Sequence, residues 1–160
     1  MSNYLRVEAS RFASSSNNDS MLNEKKLKPS NAFVGVSWVV LFAGIISYLV
    51  GLWNANMELN EKGYYFTVLI LGLFAVISLQ KAVRDQLEEI PVTPVYHGLA
   101  WAISLLSVLL LIIGLWNADL MPSEKGFYAM SFVLSLFAAI AVQKNVRDIK
   151  AVGDNEPIDT

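Results

Sequence analysis

The chain has 160 residues, of which 54% are hydrophobic, and it carries a formal net charge of -2. This charge provides neither a basic surface for nucleic acid nor a strongly acidic field, so we expect no nucleic-acid partner. There is no cysteine, which excludes disulfides and thiolate metal sites, and the single histidine, His97, has no second histidine with which to share a metal. The sequence therefore predicts no cofactor.

The first 31 residues are polar, with serine and asparagine clustered at positions 14–20. Such a segment cannot bury enough apolar surface to offset the entropy cost of ordering it, so we predict a disordered tail over residues 1–31. The apolar run that follows begins too late and is too long for a secretory signal. A second, shorter polar tail is predicted over residues 150–160.

Four long apolar runs contain no Asp, Glu, Lys or Arg. They cover residues 32–53, 63–79, 95–116 and 126–142, with lengths of 22, 17, 22 and 17 residues. A hydrocarbon core about 30 Å thick needs roughly 20 apolar helical residues, and about 17 is the lower limit. Because these runs lack an alternation of period two, they exclude a β-barrel. The predicted fold class is an all-α membrane protein with four transmembrane helices.

A segment of 35 residues occurs twice in this chain. Residues 51–85 and 114–148 align without a gap at an offset of 63, and 19 of the 35 positions are identical. Each repeat contains two spans, an even number, so both copies enter the membrane from the same side. We therefore predict two parallel repeats of a helical hairpin, residues 32–90 and 91–149, related by an axis along the membrane normal.

Short polar segments set the expected helix ends. The second helix is predicted to begin near Asn60, whose side chain can cap the free N–H groups of the first turn. In the second repeat Ser123 takes this capping role, with Pro122 just outside the helix. Two prolines in the linker of residues 86–94 then end the second helix before the third begins. The fourth helix is predicted over residues 124–147.

Lysine and arginine near the spans predict the orientation. Eight of them fall on one side of a four-span topology, and only Lys62 and Lys125 fall on the other. Because cytoplasmic loops carry the excess of basic residues, both termini are predicted to be cytoplasmic. The eight residues are Lys25, Lys26, Lys28, Lys81, Arg84, Lys144, Arg147 and Lys150.

Small and hydroxyl-bearing residues recur at steps of three and four along all four helices. Small residues let helix backbones approach closely in lipid, so we predict that this stripe forms a helix-packing seam in a left-handed, near-antiparallel bundle. We expect the serines of the seam to bond back to their own helix. The seam consists of Ser37, Gly44, Gly51, Gly72, Ser104, Ser107, Gly114, Ser131 and Ser135.

Two repeated motifs are the candidate interaction sites. The first is an outward-facing patch in which each residue also has a simple structural role, as an interfacial anchor, a helix end or a cap: Trp53, Asn54, Glu61, Lys62, Trp116, Asn117, Glu124 and Lys125. The second is the Q-K-x-x-R-D motif, which offers contacts to anionic lipid or a cytoplasmic partner, or simply anchors the helix ends: Lys81, Arg84, Lys144 and Arg147.

With the pattern GLWNA…EKG(Y/F)Y…LF…QKxVRD present twice, the chain resembles the YiaA/YiaB family of bacterial inner-membrane proteins over residues 33–148. It is most similar to the longer members, which carry two copies of a two-helix domain. The resemblance implies a multi-pass protein of the bacterial inner membrane. It implies no activity and supplies no catalytic residues.

Two functions fit the uncharged spans. The first is a structural or interaction protein that self-associates or assists a membrane complex, with membrane lipid and a second copy or another membrane protein as partners. The second is a small-molecule channel or transporter that acts as an oligomer, although the absence of intramembrane charges argues against energy coupling. No pair of nucleophile and base and no metal-spaced ligand set is present, so we expect that the protein is not an enzyme.

Overall fold

The computed structural model describes Glu8 and residues 29–153. These residues form four helices and no strand: α1 (Asn31–Asn54), α2 (Leu59–Leu87), α3 (Pro94–Asn117) and α4 (Pro122–Gly153). The shortest have 24 residues, which corresponds to about 36 Å at 1.5 Å per residue. All four are long and apolar enough to cross a membrane. The predicted all-α class with four spans is therefore confirmed.

The start of α2 differs from the prediction. The helix begins at Leu59, so Asn60 lies inside the first turn and is not the N-cap. Glu58 occupies the cap position, and its backbone N–H donates to Glu61 Oε2 at 2.9 Å. The carboxylate of Glu61 therefore satisfies one of the backbone donors that a helix start leaves unpaired.

The second repeat begins its last helix in the same way. Because α4 starts at Pro122, the predicted cap Ser123 also lies in the first turn, and Pro122 lies within the helix. The backbone N–H of Met121 donates to Glu124 Oε2 at 2.9 Å. Both repeats thus have a glutamate at the third helical position. The residue at the cap position differs, since it is glutamate in the first repeat and methionine in the second.

The linker between the repeats is shorter than predicted. Helix α2 continues to Leu87, and Glu89 follows with a φ of 58°, in the left-handed region. The Glu89 N–H then donates to Gln86 O at 3.4 Å, and the Ile90 N–H donates to Asp85 O at 2.9 Å. This pair of bonds is a Schellman motif, which usually places glycine where Glu89 stands.

The last helix is longer than predicted, because α4 runs past residue 147 to Gly153. Lys150 therefore belongs to the last helical turn and not to a tail, and its charge complements the negative end of the helix dipole. The predicted disorder of residues 1–31 falls outside the described residues except at Glu8 and residues 29–31, of which Asn31 already belongs to α1. The rest of the predicted tail over residues 150–160, from residue 154 onward, also lies outside them.

The helices pack mainly across the two repeats. Helix α1 lies along α4, and α2 lies along α3, while α2 and α4 also contact each other in the centre. By contrast, α1 and α2 touch only slightly, as do α3 and α4, although each pair is joined by a short loop. Each predicted hairpin therefore obtains most of its packing from the other repeat.

Equivalent glycines make equivalent contacts in the two cross-repeat interfaces. A Cβ added to Gly51 of α1 would lie 2.8 Å from Phe127 Cε1 of α4, and one added to Gly114 of α3 would lie 2.7 Å from Tyr64 Cε1 of α2. Residues 51 and 114 correspond to each other at the repeat offset, as do residues 64 and 127. The α1–α4 and α2–α3 interfaces thus have the same arrangement. The first repeat supplies the glycine in one interface, and the second repeat supplies it in the other.

A buried polar contact breaks this symmetry near the chain termini. Asn145 of α4 is only 2% exposed, and its Nδ2 donates to Ser37 Oγ of α1 at 3.0 Å. The corresponding residues of the α2–α3 interface are Ala82 and Ala100, which are both buried and apolar. A hydrogen bond between helices in lipid contributes about 0.6 kcal/mol on average. The α1–α4 interface therefore contains a buried side-chain hydrogen bond that the α2–α3 interface lacks.

Candidate functional site

The two ends of the bundle differ in chemistry. The tryptophan end contains the α1–α2 and α3–α4 loops, where Trp53 and Trp116 are each 83% exposed. The basic end contains the start of α1, the end of α4 and the linker between α2 and α3. Exposed tryptophans at helix ends suit the membrane–water interface, because the ring is apolar and its N–H seeks a polar partner.

Most polar side chains of the predicted patch at the tryptophan end form hydrogen bonds with backbone groups nearby in the chain. Asn54 Nδ2 donates to Val50 O, and Asn117 Nδ2 donates to Ile113 O, both at 2.8 Å within the same helix. Glu61 and Glu124 accept the first backbone donors of α2 and α4, as described above. In the first repeat, Lys62 Nζ also donates to the carbonyl oxygen of Trp53 at 3.0 Å. These repeated side chains therefore close helix ends and hold the loop.

A small cavity of about 290 Å³ at the tryptophan end joins the two repeats. Asn54 from the first repeat and Glu124 from the second both line it, together with Tyr128. The other six residues of the predicted patch do not line it. The eight residues thus do not converge on a single site in the part of the chain that the structure describes.

Next to this cavity, a cluster of aromatic rings fills the centre of the bundle. Tyr48 of α1 is fully buried, and its hydroxyl donates to the carbonyl oxygen of Tyr65 at 3.1 Å. The rings of Tyr65 and Tyr128, which are equivalent residues of the two repeats, stack with centroids 6.1 Å apart and an interplanar angle of 21°. Tyr64 donates to Leu110 O at 2.6 Å. The hydroxyl groups of Tyr48 and Tyr64 thus each have a hydrogen-bond acceptor. These two hydrogen bonds join α2 to α1 and to α3.

The nine residues of the seam are all buried or half-buried. Four of its five serines donate to their own helix: Ser37 to Phe33 O, Ser104 to Ala100 O and Ser107 to Ser104 O, each at 2.8 Å, and Ser135 to Ser131 O at 2.7 Å. The fifth, Ser131, lines an open groove of about 700 Å³ along α4 whose other walls are apolar except for Ser47. Four of the five seam hydroxyls are therefore paired within their own helices, and the fifth lines the groove.

The basic end holds a groove of about 650 Å³ to which all four helices contribute. Four basic side chains line it, Lys81 and Arg84 from α2 and Arg147 and Lys150 from α4, against the single acid Glu88. Three of these four belong to the predicted Q-K-x-x-R-D contacts. The fourth member of that prediction, Lys144, is exposed and does not line the groove, and Lys150 lines it instead.

Below these charges the same groove is mainly apolar, although Ser78, Tyr96 and Gln143 also line it. Its lower apolar walls come from Trp38 of α1, Phe74 and Ile77 of α2, and Val142 of α4. Phe74 is 65% exposed, so this part of the groove opens on the lipid-facing side of the bundle. The groove therefore combines a cationic rim with an apolar channel at membrane depth.

Two segments of the chain match one known domain. Residues 33–85 and 96–148 each match the family described as the yiaA/B two helix domain. The chain belongs to the YiaA/YiaB two-helix domain family. The resemblance noted from the repeated motif is thereby confirmed, and each match contains one helical pair of the fold.

Three similar proteins are each named as membrane proteins. The chain is 57% identical over 131 residues to the inner membrane protein YiaA of Escherichia coli K12, covering 82% of this chain and 88% of the relative. It is 29% identical over 103 residues to the inner membrane protein YiaB of the same organism, covering 64% and 87%. The uncharacterized membrane protein YubF of Bacillus subtilis 168 is 46% identical over 59 residues, or 36% and 68%. No solved structure matches the chain.

The four spans and the similarity to YiaA both indicate a membrane protein. The protein is therefore a multi-pass protein of the inner membrane. The polar contacts of two interior residues were not predicted from the sequence. Tyr48 corresponds to Leu111 in the second repeat, and Asn145 corresponds to Ala82 in the first. Both contacts therefore depend on residues that differ between the repeats.

Proposed function

We propose that the protein is a non-catalytic structural or interaction protein of the inner membrane, which self-associates or assists a membrane complex. The observation that supports this is the closed seam. Four of its five serines donate their hydroxyls to carbonyls of their own helices, and Gly44 lets α1 approach the backbone of α4 at Ser135. A buried polar path for a solute would need these groups to face a cavity.

A small-molecule channel or transporter is the second candidate. The groove of about 700 Å³ beside Ser47 and Ser131 favours it, because a second copy placed against α4 would enclose the two hydroxyls. The remaining walls, which include Met130 and Phe137, are apolar and face outward. Such a lining offers a polar solute little compensation for its lost hydration.

Cross-linking in native membranes separates these candidates. We expect the tagged full-length protein to yield a product of dimer size or a reproducible membrane partner. Liposomes that contain the purified protein should retain small polar solutes as well as empty liposomes do. Leakage that is abolished by Ser131→Leu, and unaffected by Ser104→Leu in the seam of α3, would contradict the proposal and favour the channel.

We further propose that both termini, and hence the basic end, face the cytoplasm. The support is the charge asymmetry, since Lys81, Arg84, Lys144, Arg147 and Lys150 cluster at one end of the helices. Basic residues near the spans are retained on the cytoplasmic side during insertion.

Reporter fusions test this orientation. Alkaline phosphatase fused after the last residue is expected to be inactive, whereas green fluorescent protein at the same point should fluoresce. As a control, phosphatase fused after Asn56, in the loop between α1 and α2, should be active. The reverse pattern, with active phosphatase at the C-terminus, would invert the topology.

A further inference from the structure

We propose that the groove at the basic end binds an anionic phospholipid, with the phosphate at its cationic rim and an acyl chain along its apolar lower walls. The groove is built from both repeats. Its rim places Lys81 and Arg84 on one side and Arg147 and Lys150 on the other. The two arginines are equivalent residues of the YiaA/YiaB repeat, so a phosphate between them would meet one guanidinium from each copy.

Arg84 has a donor available for such a ligand. Its Nη2 donates to Asp85 Oδ1 at 3.2 Å, but its buried Nε has no hydrogen-bond partner among the described residues and lies 3.6 Å from Glu88 Oε1. Arg84 Nε therefore has an ion-pair partner but no hydrogen bond, and a phosphate oxygen would supply the hydrogen bond that a buried donor needs. Guanidinium groups bind phosphate through several parallel N–H donors.

The neighbouring aspartates do not neutralise the rim. Asp85 and Asp148 each follow their arginine directly in sequence, and Arg147 Nε lies 3.8 Å from Asp148 Oδ1. Ion pairs at partly exposed positions contribute little to the free energy of folding. A phosphate can therefore bind these arginines beside the aspartates or in their place. The two lysines of the rim, Lys81 and Lys150, have exposed side chains that can reach the same anion.

The apolar half of the groove indicates a lipid rather than a soluble anion. Trp38, Ile77 and Phe74 continue the groove from the rim toward the middle of the membrane, and Phe74 faces the lipid side. Inorganic phosphate would use only the rim and leave these walls in contact with bulk lipid. Basic pockets between transmembrane helices at a membrane surface are suited to anionic headgroups.

The test uses the purified full-length protein in a zwitterionic detergent. Its melting temperature is measured during titration with phosphatidylglycerol, with phosphatidylcholine or with inorganic phosphate. We expect only phosphatidylglycerol to raise the melting temperature. Because each basic residue near a membrane surface strengthens attraction to anionic lipid, Arg84→Gln or Arg147→Gln should raise the concentration needed by about fivefold.

Two lysines of α4 provide a matched comparison. Lys150 lines the groove and Lys144 does not, yet both are exposed and lie within two turns of each other. Lys150→Gln is expected to weaken the response to phosphatidylglycerol, whereas Lys144→Gln, the identical change of charge, should leave it within twofold. This pair also serves if an arginine variant does not fold.

Three results would overturn the proposal. Equal effects of Lys150→Gln and Lys144→Gln would show general attraction to charge and no site in the groove. An equal response to inorganic phosphate would show that the apolar walls take no part. An equal response to phosphatidylcholine, or none to any of the three additives, would show that the basic rim does not select an anionic headgroup.

Discussion

Gly44→Leu is expected to prevent α1 from docking on α4. A Cβ at position 44 would lie 2.7 Å from Ser135 Oγ and 3.0 Å from the backbone nitrogen of Ser135. The serine side chain could rotate away, but the backbone of α4 cannot move without separating the helices. Overpacking costs about 1–3 kcal/mol where side chains can adjust, so a contact against backbone should cost roughly 3 kcal/mol or more. The measurement is the melting temperature of the protein in detergent, together with its monodispersity.

Gly35→Leu is the matched control, because Gly35 lies on the same helix and a Cβ there would meet nothing within 4 Å. We expect it to change the free energy of unfolding by less than about 0.5 kcal/mol. Ile45→Leu, an exchange of isomers one residue from the seam, should likewise cost less than about 1.5 kcal/mol. If Gly44→Leu were as mild as these two, the close approach of α1 and α4 would not exist in the folded protein.

Much of the architecture could be predicted because the membrane simplifies the problem. Runs of 17–22 uncharged residues can cross the membrane only as helices, and there are four such runs. Because each repeat has two spans, both repeats enter the membrane from the same side. The helix-packing positions followed from their spacing. Their partners did not, because parallel repeats present the same stripe twice. The face of α1 that carries Gly44 fits a seam on α2 or on α4 equally well at the level of sequence, and only the three-dimensional arrangement selects α4.

The helix starts illustrate a different limit. Asn60 and Ser123 are good capping residues by type, and both predictions were wrong by two positions. Glu61 and Glu124 lie in the first turn of α2 and α4. Their carboxylates reach back to the cap position, so the geometry of the third helical residue decided where each helix begins. Short polar loops contain several residues able to cap, and local type alone does not choose among them.

The candidate sites were predicted least well, since they depend on which side chains converge. The basic motif was recognised in both repeats, but its members separate in the structure: Arg147 lines the groove and Lys144 does not. Lys81 and Arg84 have the same spacing of three residues on α2, and both line the groove. The spacing within the motif therefore does not predict which of its members converge. Lys150 completes the rim only because α4 continues beyond its predicted end.

Expressed as two separate pieces, residues 1–90 and 91–160, the protein is expected to reassemble in the membrane. The break falls in the linker beyond Glu89, where the backbone is exposed and the helices have already ended. Each piece would retain its own loop but lose the α1–α4 and α2–α3 interfaces, which hold most of the packing. Alone, each piece should therefore be degraded or aggregate. Together, they should accumulate and co-purify through a tag on either one.

Interface variants make this result specific. Gly44→Leu in the first piece should abolish co-purification, whereas Gly35→Leu should preserve it, because only position 44 faces α4. Stable pieces that accumulate alone and do not associate would contradict the cross-repeat arrangement and make each hairpin the folding unit. Reassembly would mean that the linker contributes mainly a high local concentration of the second repeat. The duplication then supplies, within one chain, the two complementary halves that the packed bundle requires.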